Sequence, residues 1–102
     1  MFVTFNSQAY ENISYFETVA KRLLSLMGHS GTVPGAFKAV EVAQALSDLQ
    51  QGLAQQKEHH SHADDEDSDI SLAKRAVPLI SMLQAATRDE CDVLWSYTHS
   101  PS

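Results

Sequence analysis

Phe2-Val3-Thr4-Phe5 opens the chain, and Asp92-Val93-Leu94-Trp95-Ser96-Tyr97 stands almost at its close. Both stretches are β-branched and aromatic, the composition of a strand. In the first, Phe2 alternates with Thr4 and Val3 with Phe5, so both faces carry apolar groups and at least one must be covered. Lying side by side, the two stretches would join the ends of the chain into one core by main-chain bonding. Between them lie three amphipathic segments. The fold expected from this order is α+β: three helices packed on a short two-stranded sheet formed by the N- and C-terminal strands. An isolated pair of strands is marginal in water and needs the helices on one face. Alternating element direction makes the two strands parallel, the general excess of antiparallel pairing favours the opposite, and the sequence leaves the direction open.

The first helix reads from 14 to 27. Ser14-Tyr15-Phe16-Glu17 matches the capping-box pattern, in which the Ser14 hydroxyl accepts from the Glu17 amide and Glu17 reaches back. Phe16, Val19, Ala20, Leu23, Leu26 and Met27 then recur at spacings of three and four. Gly28 follows as a left-handed cap. A preceding helical turn is read over Ser7–Glu11. Gly28 to Gly35 holds three glycines and Pro34 and reads as a connector. The second helix spans about Lys38 to Gln56, with Val42, Leu46, Leu49 and Leu53 on one side. Gly52 inside it costs about 1 kcal/mol relative to alanine. The third spans about Ser71 to Thr87, with Ser71 as its N-cap. Its buried stripe is Leu72, Ala76, Leu79, Ile80, Leu83 and Ala86. Pro78 interrupts the backbone donors of this helix and is expected to kink it, yet the apolar period crosses the proline unbroken.

The 102 residues fit one domain, and 43% hydrophobic content suits a folded chain rather than a disordered one. The net charge of −6 is concentrated in residues 57–69, KEHHSHADDEDSD, which hold one base against six acids. With Ala63 as its one small apolar residue, this tract has little to bury and reads as a mobile, solvated acidic and His-rich loop within a single domain 1–102. A chain whose charge is acidic lacks the clustered Lys and Arg that phosphate neutralisation needs, so no nucleic-acid partner is expected. No apolar run reaches the length of a membrane span, and Met1–Phe5 lacks the basic start and apolar core of a secretory signal. One cysteine, Cys91, excludes an internal disulfide and fits a reducing compartment. The expected location is the cytoplasm, with no membrane association.

The most chemically suggestive feature is His59, His60 and His62 beside carboxylates, a donor set for zinc, nickel or copper. These are the candidate metal ligands. A structural site also needs rigid support, which a solvated tract does not supply, so adventitious zinc or nickel binding is the simpler expectation. Asp65-x-Asp67-x-Asp69 fails as a calcium loop: Ile70 stands where glycine is required and Ala76 where a bidentate glutamate is required. Gly28-His29-Ser30-Gly31 is not a nucleophile elbow, because Thr32 occupies the last glycine position and a helix precedes it. Cys91 lies between Glu90 and Asp92, whose charges disfavour a thiolate. Glu17 is assigned to capping, and Glu11 and Glu41 to solvated faces. Lys21-Arg22 and Lys74-Arg75 read as exposed helix faces. Trp95 is assigned to the core, with an exposed Trp95–Tyr97 patch as the alternative. No catalytic residue, phosphate-binding glycine pattern or cofactor site is assigned.

Three segments together carry a resemblance. Met1-Phe2-Val3-Thr4-Phe5 with Ser7 opens the chain, and Leu23-Leu24-Ser25-Leu26-Met27-Gly28 closes the first helix. Ser71-Leu72-Ala73-Lys74-Arg75-Ala76-Val77-Pro78-Leu79-Ile80-Ser81-Met82-Leu83 is followed by Asp92-Val93-Leu94-Trp95. The chain resembles the small proteobacterial proteins grouped as domain-of-unknown-function family 1840, over nearly its whole length. The resemblance implies an uncharacterised bacterial, cytoplasmic, single-domain protein and supplies no catalytic residues. It makes Pro78 a regular feature of the third helix.

The functional expectation is a non-enzymatic interaction or regulatory module with an unidentified protein partner. Each terminal strand would keep a free edge, and pairing of those edges into a four-stranded sheet makes a homodimer the expected form. The alternative is a divalent-metal-binding protein using the His/Asp-rich loop.

Overall fold

The computed structural model describes residues 1–59 and 72–98. Its elements run β1 (Phe2–Ser7), β2 (Tyr10–Phe16), α1 (Glu17–Leu26), β3 (Gly35–Phe37), α2 (Ala39–His59), α3 (Leu72–Asp89) and β4 (Val93–Tyr97). The class is α+β with three helices, as expected, but the sheet is not two-stranded. It has four antiparallel strands in the order β2-β1-β4-β3. The terminal strands do pair, Val3 with Tyr97 and Phe5 with Trp95, in antiparallel register. Each then gains a further neighbour from its own chain, so the edges that motivated the expected strand-to-strand dimer are already paired.

The first unforeseen strand is β2. Tyr10, Ile13 and Tyr15 suit a half-covered strand, and a turn at Gln8 and Ala9 folds them back on β1, with Phe5 opposite Ile13 and Val3 opposite Tyr15. The Ser7 hydroxyl accepts from the Ala9 amide at 3.2 Å inside that turn. Near the turn Glu11 and Asn12 together oppose Asn6, a bulge. The capping box does not form. Phe16 occupies the N-cap with no side-chain bond. The Ser14 hydroxyl is instead paired with Thr4 Oγ1 at 2.9 Å, and the Glu17 amide donates to the Met1 carbonyl at 2.9 Å. Both groups of the pattern are present, but the strand pairing on either side takes them.

The second is β3, three residues that start at the last position of the expected connector. Gly35 lies opposite Trp95 and Phe37 opposite Val93. A Cβ on Gly35 would sit 2.4 Å from Trp95 Cζ2, so only glycine lets β3 pass under the indole.

The helix ends are as their residues dictate. Gly28, at φ +82°, closes α1: the His29 amide donates to the Leu24 carbonyl at 2.9 Å and the Gly28 amide to Ser25 at 3.0 Å. At the start of α2, the Lys38 amide donates to Glu41 Oε1 and the Ala39 amide to Asp92 Oδ1, both at 2.8 Å. Asp92 thereby ties the entry to β4 onto α2. Helix α3 runs through Pro78, which is exposed. The Ser71 cap lies outside the described residues, as do positions 60–69 of the expected acidic loop, while positions 57–59 continue α2.

All three helices lie on one face of the sheet. The core joins Val3, Phe5, Val93 and Trp95 from the strands to Leu23 and Leu24 of α1, Val42 and Leu49 of α2, and Leu79, Met82 and Leu83 of α3. Tyr15 is buried there too, and its hydroxyl donates to the Arg75 carbonyl of α3. Burial pushes the Tyr15 phenol up to about 12, with a backbone hydrogen bond at Leu79 offsetting part of the rise.

Candidate functional site

Strand alternation sends every second side chain to the other face of the sheet, and none of the described helices lies there. Outward residues are Phe2, Thr4 and Asn6 of β1, Ser14 and Phe16 of β2, Ala36 of β3, and Leu94 and Ser96 of β4. None of these carries a charge. Glu11, in the bulge beside the hairpin turn, is the nearest acidic group of the strands. Phe2 and Phe16 stack across the β1–β2 pair, ring centroids 4.7 Å apart, and remain 44% and 57% exposed. Leu94, beside Asn6 at the opposite end of the strands, is 44% exposed. Between these apolar ends lies a belt of hydroxyls, Thr4, Ser14 and Ser96, while Thr98 stands beside Phe2, its amide donating to the Phe2 carbonyl at 2.8 Å. Thr4 is hydrogen-bonded both to Ser14, at 2.9 Å, and to Thr98.

Phe16 also floors an open groove of about 540 Å³ at the edge of this face, with Met1, Glu17, Thr18, Lys21, Arg22 and Ser25. Glu17 Oε2 accepts from the Tyr97 hydroxyl at 2.8 Å and lies 3.2 Å from Lys21 Nζ. The Tyr97 bond, then the Lys21 bond and charge, hold the Glu17 carboxyl below its ordinary range, and the same pairing raises Lys21. Glu17 is therefore committed to bridging α1 and β4, not free for proton transfer.

The residues singled out in the sequence are scattered. His29 Nδ1 accepts from the Gly31 amide at 3.0 Å, and the imidazole stands edge-on to Trp95 and Phe37, with centroids 4.8 and 5.6 Å away. Ser30 pairs with Thr32 at 2.9 Å, so His29 and Ser30 form no dyad. Trp95 is core, 1% exposed, and its indole donates to the Thr32 carbonyl at 2.9 Å. The Cys91 thiol faces the Asp89 carbonyl at 3.6 Å. Glu41 caps α2. His59 is the last residue of α2, while His60 and His62 lie outside the described residues. Among the described residues no three His, Cys, Asp or Glu side chains converge on a point that could hold a metal. No described helix is long and apolar enough to cross a membrane.

The profile of a domain of unknown function, DUF1840, matches residues 1–95, which takes in every element from β1 through α3 and the first half of β4. The chain belongs to the DUF1840 family. No curated protein and no solved structure matches it. The DUF1840 match reaches Phe2, Thr4, Phe16 and Leu94, and so covers both apolar ends of the open face.

Sequence reasoning missed this face because Phe16 was placed on a helix stripe, where its apolar side chain would be buried. The signal was present in the outward pairs Phe2/Thr4 and Leu94/Ser96. Each joins a large apolar side chain to a hydroxyl, with no charge at either position.

Proposed function

We propose that the protein is a cytoplasmic, non-enzymatic interaction module that works through the uncovered face of its sheet. The observation that carries this reading is the charge-free outward surface of β1, β2 and β4, with Phe2, Phe16 and Leu94 exposed on it. A sheet face left to water is ordinarily studded with charge, which keeps it solvated. Here apolar rings and internally paired hydroxyls stand in place of charge. Covering such a surface removes apolar area from water and strands few polar atoms, because Thr4, Ser14 and Thr98 already satisfy one another. Glu17, Glu41, His29 and the Cys91 thiol are engaged in an ion pair, a helix cap, ring contacts and a turn, which supports a binding role over catalysis. The unpaired Cys91 is in keeping with a reducing compartment.

The test places a cysteine at the centre of the face, Ser96→Cys, in a Cys91→Ser background, with Gln50→Cys on the exposed side of α2 as control. Maleimide labelling in the cells that make the protein is compared with labelling of purified protein at nanomolar concentration. The expected result is that S96C labels at least about tenfold more slowly in the cell while Q50C is unchanged. Equal rates at both positions would show that nothing covers the face and would end this reading.

A further inference from the structure

We infer that the occupant of the open face is a second copy of the chain, set face to face by a two-fold axis that crosses the strands near Thr4 and Ser96. This rests on the reading of the face as an interface. The distribution of side chains carries it. Phe2 and Phe16 sit at one end of the strands, Leu94 at the other, and the hydroxyls lie between. An axis lying in the plane between two such sheets, tilted about 20° from the perpendicular to the strands so as to span the offset between β1 and β4, exchanges the two ends. It lays Phe2 of each copy over Leu94 of the other, twice, and the hydroxyl belt over itself. The surface is thus complementary to its own image, as a closed isologous dimer demands.

Charge supports the same occupant. The whole chain carries −6, so two copies repel at any charged contact. The outward face is where that repulsion is absent, and a basic partner would find no carboxylate among these residues to pair with. Size sets the strength. Four strands spaced about 4.8 Å apart, with β1 six residues long, give a face roughly 20 Å on a side. That is about half of the ~800 Å² per partner buried in a standard interface. The dimer is accordingly weak, assembling in the micromolar range, and salt does not weaken it because no ion pair holds it.

Sedimentation of the purified protein over the micromolar range tests this, at low and high ionic strength. The expected result is a monomer–dimer equilibrium that high salt does not weaken. Leu94→Lys, and independently Ser96→Arg, shift it to monomer by at least about tenfold in dissociation constant, with far-ultraviolet circular dichroism showing that each variant is folded. In the Cys91→Ser background, a short bis-maleimide joins F2C to L94C when the two variants are mixed, and joins neither variant to itself. A dimer that survives both L94K and S96R uses another surface, such as the edge of β2, and overturns the inference. A protein that stays monomeric while S96C is protected in the cell also overturns it, yet leaves the interaction reading standing with a different partner. If S96C is unprotected in the cell, both fail.

Discussion

Gly35→Ala is the sharpest perturbation of the fold that sequence reading did not foresee. The added methyl would lie 2.4 Å from Trp95 Cζ2, 2.7 Å from Cε2 and 2.9 Å from Nε1, all far inside van der Waals contact. Ring or strand must therefore move by about 1 Å to restore ordinary separation. The indole is not free to do so. Its N–H is bonded to Thr32, and Phe5, Phe37 and His29 pack around it at centroid distances of 5.9, 5.1 and 4.8 Å. Overpacking of this kind costs about 1–3 kcal/mol, and loss of the indole hydrogen bond adds about 1 kcal/mol. The expected total is about 3 kcal/mol, a large share of the 5–15 kcal/mol that holds a typical domain. It corresponds to a fall in Tm of roughly 10–20 °C for a chain of this size. Trp95 is the sole tryptophan, so urea unfolding followed by its fluorescence reads stability and the environment of the clash together. Ala36→Ser, one residue along and exposed, serves as control and stays within about 0.5 kcal/mol of the parent. If G35A unfolds within that same margin, with Trp95 emission unchanged, then β3 does not pass beneath the indole and the outer half of the sheet is misassigned.

Tyr15→Phe removes the hydroxyl that bonds to Arg75 and costs about 1 kcal/mol near neutrality. Because burial raises the Tyr15 phenol from 10.0 to about 12, ionisation favours the unfolded chain. This stability is whole below pH 10 and is lost as pH rises through 12, by about 3 kcal/mol; urea melts across that window should show the loss in the parent and not in Y15F. Gly52→Ala, which helix propensity alone would make stabilising by about 1 kcal/mol, is expected instead to destabilise by about 1 kcal/mol. Its methyl would meet Leu26 Cδ2 at 2.8 Å and Cβ at 3.2 Å where α1 crosses α2, and a gain in Tm would refute that crossing. Zinc titrated into the protein is expected to bind weakly, and replacing His59, His60 and His62 with alanine to abolish the heat of binding without moving Tm. A zinc-dependent rise in Tm that the triple variant loses would instead support a structural site.

Much of the fold was legible because long periodic signals are redundant. Leu23, Leu49, Leu79 and Leu83 are each supported by several apolar neighbours at helical spacing, and all four are fully buried. The terminal strands were legible for a similar reason, through runs of Phe, Val, Trp and Tyr. What failed was local and ambiguous. Ser14-x-x-Glu17 is a capping box by residue type, but Thr4 and Tyr97 compete for the same two side chains from across the sheet. No inspection of residues 14–17 alone reveals those competitors. Gly35-Ala36-Phe37 is too short for alternation to register, and its glycine reads as a loop until the indole above it is known. The open face was hidden by the same error, since Phe16 could not be seen as outward until Tyr10–Phe16 was a strand. The His-rich tract was conspicuous in composition, but the described residues bring no further donors into a cluster.

The uncharged face of the sheet is the surface on which we propose this protein associates. The most direct measurement is a series of amide nuclear magnetic resonance spectra of the purified protein across a dilution from millimolar to low micromolar concentration. The expected shifts are confined to Phe2, Thr4, Ser14, Phe16, Leu94 and Ser96 and their immediate neighbours, with α1, α2 and α3 silent. Spectra that do not change on dilution, or changes that map to the helices or to the β3 edge instead, would contradict it.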